Sequence, residues 1–123
     1  MANELALNFD AQYSDDTGSV SAVSIVDQLI GSTAKRQFHG KQLIPITVDT
    51  VIARGGVTGA QLLVIVNRDP TNFVTIKPGN GGLAIAKLLP GRFCVIPPGA
   101  DFLTPYAVAD TAACEIEVLL IDT

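Results

Sequence analysis

The residues able to do chemistry are few and far apart. His39 is the single histidine, set in Arg36-Gln37-Phe38-His39-Gly40 at an expected strand end. A histidine acting as general base needs a nucleophile beside it and a group that orients it. Ser32, Thr33 and Asp49 could lie near it after folding, but no Gly-x-Ser-x-Gly elbow marks a nucleophile. A surface or interface histidine is expected. Asp10, Asp15 and Asp16 can cluster with Glu4. Calcium takes about six to eight oxygen ligands, and this spacing departs from an EF-hand loop. A solvated acidic turn is expected, and no metal or other cofactor is assigned. Glu115 and Glu117 fall on one strand face roughly 7 Å apart, a separation seen for paired carboxylates in glycosidases. That chemistry needs sugar-binding aromatics, and the chain has no Trp and two Tyr, Tyr13 and Tyr106. An exposed acidic patch is the expectation.

Cys94 and Cys114 each sit inside an apolar run and read as free buried thiols. Without a Cys-x-x-Cys spacing, and with a single distant histidine, they make a poor metal set. The glycines of 54–59 mark a loop, but no Lys-Ser or Lys-Thr pair follows, so it is not a phosphate cradle. No enzymatic activity is expected.

Composition limits the remaining classes. The chain has 123 residues, enough for one β domain with a real core. It is 48% apolar but only 16% charged, against roughly 25% in ordinary soluble domains. Surface covered by neighbouring subunits accounts for this; a surface of Thr, Ser, Asn and Gln is the plainer account. The net charge is −4 and the eight Lys and Arg are scattered. No basic stripe interleaved with aromatics appears, so nucleic acid is not an expected partner. No apolar run is long enough for a membrane helix. The N-terminus shows no basic segment leading into an apolar core, so synthesis in a reducing cytoplasm is expected.

Most of the chain reads as strands. Leu5, Leu7 and Phe9 alternate with Glu4, Ala6 and Asn8. Residues 14–18 form a turn, and 20–26 form a second strand. Helical spacing of Val23, Val26 and Ile30 competes there, but β-branched content favours the strand. A short strand at 36–40 and a firmer one at 43–48 follow, with Pro45 suited to an edge or a bend. Residues 62–66 are apolar on both parities, so that both faces of this strand can be covered. Residues 67–70 then turn the chain into a return strand at 73–76. Reversals at 78–82, 90–91 and 97–99 separate strands at 83–88 and 93–96. A short strand at 106–109 precedes the last one, whose Cys114, Ile116, Val118 and Leu120 make a core face. Its other face begins acidic and ends apolar. The expected fold is all-β, a single antiparallel β-sandwich over residues 1–123 with jelly-roll-like or Greek-key connections. A small closed β-barrel is the alternative.

Three elements in order carry a resemblance. Residues 63–76 run from an apolar strand through Asn67-Arg68-Asp69-Pro70-Thr71-Asn72-Phe73-Val74 into a second strand. Ala86-Lys87-Leu88-Leu89-Pro90-Gly91 follows, then Ala112-Ala113-Cys114-Glu115-Ile116-Glu117. Over residues 62–120 this resembles small structural proteins of tailed bacteriophages and prophages. The resemblance implies a virion setting after synthesis in the host bacterial cytoplasm, and it brings no catalytic residues. The implied function is a non-enzymatic virion structural protein that decorates or cements the capsid. A tail or head–tail junction component is the structural alternative. A carbohydrate- or receptor-binding sandwich, using loops 14–18, 54–59 and 101–105, is the alternative from another class.

The implied partners are copies of the chain itself, as a homo-oligomer with a trimer favoured by capsid symmetry, and the major capsid protein or other virion proteins. Two segments are expected to make the contacts. One is the tip bearing Asn67, Arg68, Asp69, Pro70 and Asn72. There, Asp69 either pairs with a partner or caps its own turn. The other is the stretch of Phe102, Leu103 and Tyr106, where Phe102 is an interface anchor or a lid on the sandwich.

Overall fold

The computed structural model describes residues 3–14, 16–32, 37–57, 60–96 and 104–122. All the regular structure in them is β: ten strands in three antiparallel sheets. The chain divides into two compact units, Met1–Lys35 and Arg36–Thr123.

The first unit is a ribbon of β1 (Asn3–Ser14) and β2 (Val20–Ser32), which form a two-stranded sheet of their own. Gly18 closes the turn between them at a φ of 86°, a left-handed conformation that glycine takes without steric cost. The register runs Leu5↔Ile30, Leu7↔Gln28, then Phe9↔Ile25 and Ala11↔Val23. Val26 and Asp27 together oppose Asn8, an extra residue that makes a β-bulge. The bulge resets the parity of β2.

The second unit holds two four-stranded sheets. In the first, the order is β3 (Gln37–Ile44), β10 (Cys114–Asp122), β5 (Ala60–Asn67), β8 (Phe93–Ile96). In the second it is β4 (Thr50–Val51), β9 (Tyr106–Ala109), β6 (Val74–Lys77), β7 (Ala86–Leu88). One core draws on both. Ile44, Ile65, Ile116 and Val118 from the first sheet, Val74, Ile76 and Ala107 from the second, and Ile52 just past β4 are at most 1% exposed. β10 shows the cause: Cys114, Ile116, Val118 and Leu120 are buried on one parity, while Glu115 is exposed and Glu117, Leu119 and Ile121 are half-buried on the other.

The connections differ from a simple meander. Residues 73–76 read in sequence as the return strand of 62–66, yet β5 and β6 lie in different sheets. β7 and β8 are likewise split by the turn at Pro90 and Gly91, where Arg92 N–H donates to Leu89 C=O at 3.0 Å. Among the described residues of this unit, β6 and β7 are the only chain neighbours that pair. The two strands expected at 36–40 and 43–48 are one continuous β3, which ends where Pro45 has no N–H to give. Beyond it Pro45 C=O accepts from Ala109 N–H at 3.0 Å, and the chain passes to the second sheet. The strand expected over 83–88 shrinks to β7, and Leu83 is 88% exposed.

Phe38 packs against the core, seated over two glycines. A Cβ on Gly55, whose φ is 57°, would come within 2.6 Å of the Phe38 ring, and one on Gly40 within 3.0 Å. Gly55 thus answers both to backbone conformation and to space.

Candidate functional site: a corner and the sheet face beside it

The turn of residues 67–73, where the chain leaves the first sheet for the second, is built around one buried side chain. Asn67 is 0% exposed. Its Nδ2 donates to Asn72 C=O and Leu88 C=O, each at 2.9 Å, and its Oδ1 accepts from Asp69 N–H at 2.9 Å. Its backbone donates to Arg92 C=O at 2.8 Å and accepts from Gly91 N–H at 3.1 Å. Burial of an amide is tolerated because each polar atom is partnered.

Asp69 works outward from that hub. Its Oδ1 accepts from Thr71 N–H at 2.8 Å and Asn72 N–H at 2.6 Å. These amides, that of Asn72 foremost, hold its carboxyl below the ordinary range. Asn72 Oδ1 accepts from Thr111 Oγ1 at 2.8 Å. Phe73 lies under Lys87, whose Nζ is 3.7 Å from the ring centroid. The Cys114 thiol donates weakly to Phe73 C=O at 3.4 Å, and burial raises its pKa. Parts of the three sequence elements that carry the resemblance, 63–76, 86–91 and 112–117, therefore meet in one corner, through Asn67 with Leu88 and Gly91 and through Phe73 with Cys114.

The face of the first sheet turned away from the core begins beside this corner. Register defines two rows across it. One runs Lys41, Glu117, Val66, Phe93; the next runs His39, Leu119, Val64, Val95. The β3 and β10 side carries most of the charge. Arg68 reaches from the turn to Glu117, with Nη2 at 2.6 Å and Nε at 2.8 Å from Oε1. His39 Nε2 lies 2.6 Å from the other oxygen, Oε2. The His39 and Arg68 hydrogen bonds, in that order, hold the Glu117 carboxyl below its ordinary range. Lys41 Nζ and Glu115 Oε1 stand 3.7 Å apart. The β5 and β8 side is apolar: Val64 and Val66 are half-buried, Phe93 is 54% exposed and Val95 38% exposed. Cys94, between them on β8, is half-buried, and burial pushes its thiol up to about 11.

The residues expected to form the contact tip thus have different places. Arg68 and Pro70 are exposed, Asp69 and Asn72 are half-buried, and Asn67 is buried as the hub. Asp69 caps its own turn, the plainer of its two expected roles. Tyr106 is half-buried in the second sheet opposite Val51 and Lys77. Register puts it three residues along β6 from Val74, roughly 10 Å away, so it is not part of the corner. Pro105 is buried and its C=O accepts from Ile52 N–H at 2.9 Å. Phe102 and Leu103 lie outside the described residues.

Sequence reasoning passed over Phe93 and Val95 as ordinary strand residues. Their signal was the run Phe93-Cys94-Val95-Ile96, apolar on both parities like 62–66. His39 and Glu117 were read separately because 78 positions divide them. Among the described residues, no three His, Cys, Asp or Glu side chains converge on a point where they could hold a metal ion. The corner spends its polar groups on its own backbone, and the adjoining face offers half a charged surface and half an apolar one. No family model and no curated sequence matches the chain.

Proposed function

We propose that this chain is a non-enzymatic structural protein of a tailed-bacteriophage virion, decorating or cementing the capsid. The fold reading that goes with it is a jelly-roll-like sandwich over the second unit, because consecutive strands there cross between the sheets. The protein would act as a homo-oligomer, most simply a cyclic trimer, against the major capsid protein.

One observation carries the reading: the outward face of the first sheet joins exposed Phe93 and Val95 to the ion-paired His39, Glu117 and Arg68. Interfaces of stable complexes combine an apolar, aromatic-bearing centre with a polar rim. The frame beneath is rigid, since β5, β8 and β10 are hydrogen-bonded in register and the corner is pinned by Asn67. A surface that changes little on binding loses little entropy in docking. The sequence resemblance supplies the setting.

The test is to measure the copy number of the protein in purified particles and to bind the purified protein to particles that lack it. A decoration protein is present at a number comparable to the shell subunits and saturates stripped capsids. A Phe93→Ser variant should keep its melting temperature and bind stripped capsids at least about tenfold more weakly. A few copies per particle would move the function to the tail or the head–tail junction. Absence from particles would overturn it.

A further inference from the structure

The loop between β6 and β7 holds a reactive dipeptide. The chain has five asparagines, and four of them precede a residue with a bulky side chain: Glu4, Phe9, Arg68 and Phe73. Asn80 alone precedes a glycine. An asparagine side chain can be attacked at Cγ by the backbone nitrogen of the next residue. With no Cβ on that residue, nothing beside the nitrogen blocks its approach. Asn80 and Gly81 are both exposed, and the space where a Gly81 Cβ would stand is open.

The fold holds this pair in an unreactive shape. Gly82 N–H donates to Gly79 C=O at 3.1 Å, closing a turn with Asn80 and Gly81 at its centre. Gly81 has a φ of 72° and Asn80 does not share the positive φ, the pattern of a type II turn. Such a turn sets the Asn80 ψ to about +120°, which points the Gly81 nitrogen away from the Asn80 side chain. Attack needs the two reacting atoms aligned at about 3–3.5 Å.

Asp49, on the link between β3 and β4, fixes the turn from outside. Its side chain is 12% exposed. Oδ1 accepts from Lys77 Nζ at 2.8 Å, and Oδ2 accepts from Gly81 N–H at 2.6 Å. Lys77 first and the Gly81 amide second hold this carboxyl below its ordinary range, so at neutral pH it is an acceptor and a poor base. A peptide nitrogen shares its lone pair with the carbonyl and becomes a nucleophile only as its proton leaves. A carboxylate seated on that proton opposes the negative charge that would form.

We propose that Asn80 is a site of non-enzymatic deamidation, and that the Asp49 clasp sets its rate. When the clasp opens, the Gly81 nitrogen bonds to Asn80 Cγ and gives its proton to solvent. The Cγ–Nδ2 bond breaks, and the side-chain nitrogen takes up a proton and leaves as ammonia. Water then opens the cyclic imide at either carbonyl. Opening at Cγ leaves isoaspartate or aspartate according to which carbonyl the water attacks: aspartate from the side-chain carbonyl, isoaspartate from the main-chain one. Both products add a negative charge to a turn that faces Asp49, and isoaspartate also reroutes the main chain through Cγ. The reaction is one-way, so each event loosens the loop permanently. The turn is no part of the outward face of the first sheet, and its chemistry stands whatever that face binds.

The experiment incubates the full-length protein at mildly alkaline pH, folded and in urea, and follows the peptide containing 79–82 by mass spectrometry. Each conversion adds one mass unit, and fragmentation separates aspartate from isoaspartate. In urea Asn80 should convert before Asn67 and Asn72. In the folded protein it should convert at least about fivefold more slowly, the scale of a hydrogen bond to a charged acceptor. Folded Asp49→Ala should recover most of that factor. Lys77→Met keeps the acceptor of the Gly81 amide and should recover less. Asn80→Gln should remove the signal. Folded wild-type protein converting as fast as in urea overturns the clasp, and this comparison needs no variant to fold. A folded Asp49→Ala no faster than wild type overturns it too. No conversion at Asn80 in urea overturns the site itself.

Discussion

The ribbon of Met1–Lys35 and the paired sheets of Arg36–Thr123 use the same sequence device to different ends. Both alternate apolar and polar residues with a period of two. In β10 the alternation produces Cys114, Ile116, Val118 and Leu120, none more than 2% exposed, because a second sheet supplies the opposing layer. The ribbon is a sheet of only two strands, and in it Val23 is 59% exposed. Alternation specifies a face. Whether that face becomes a core depends on a second layer. Charge follows the same line: balanced in residues 36–123, where ion pairs such as Arg68 with Glu117 form, and acidic in residues 1–35, where five carboxylates meet the single Lys35.

Removing the same kind of group from each region should separate them most. Ile116→Ala empties a site between the two sheets and should cost about 2–5 kcal/mol. Val23→Ala removes a comparably apolar but exposed group and should change the stability of the dissociated chain by less than about 0.5 kcal/mol. Chemical denaturation at low protein concentration measures both, and equal losses would mean that the ribbon face is already a core.

Asn67→Ala comes next. It strips the corner of its hub and leaves the carbonyls of Asn72 and Leu88 and the amide of Asp69 without their partner, at a cost of about 1–3 kcal/mol. Denaturant titration again reads the loss. A variant as stable as the parent would mean that water replaces the side chain without penalty. Gly55→Ala tests a tighter spot in the same unit. It combines a positive φ with a Cβ inside the Phe38 ring contact, and should cost more than about 1 kcal/mol. The companion Gly18→Ala, in the ribbon turn with open space around its Cβ, carries the backbone strain alone and should cost less.

The smallest effect is electrostatic. Asp49 is held below its ordinary range by the Lys77 ammonium, at 2.8 Å, and the Gly81 amide, at 2.6 Å. Asp69 and Glu117 are lowered by the groups already named. A carboxyl with a lowered folded pKa binds its proton less readily in the folded chain than in the unfolded one. The stability it adds is complete above the ordinary values of 3.8 for Asp and 4.5 for Glu. It is lost as pH falls through the lower folded values. Thermal melts should therefore show a decline below about pH 4, shallower in Glu117→Gln and partly flattened by salt, since the His39 and Arg68 partners of Glu117 are exposed enough to be screened. A decline of equal steepness in the variant would remove Glu117 from the account.

Much of the strand pattern is written in the residues. The period of β10, the stop at Pro45, the reversal at Pro90-Gly91 and the acidic start of the outer face of β10 all follow from local rules of side-chain parity and backbone freedom. Other features depend on partners distant in the chain. The residues alone make 73–76 the return strand of 62–66, because a turn looks the same whether it closes a hairpin or passes over the edge of a core. Asn67 has the composition of a loop tip, and only the carbonyl of Leu88, 21 positions away, makes it a buried hub. His39 and Glu117 look like separate surface groups until β3 and β10 pair. The sequence by itself determined that this protein is all-β, which residues alternate, and where the chain must bend, because those are properties of short stretches of backbone. Tertiary structure alone decided which strands share a sheet, which polar side chains are spent inside the corner, and which apolar faces are left outward. Those outcomes depend on contacts between residues far apart in the chain, which no local pattern encodes.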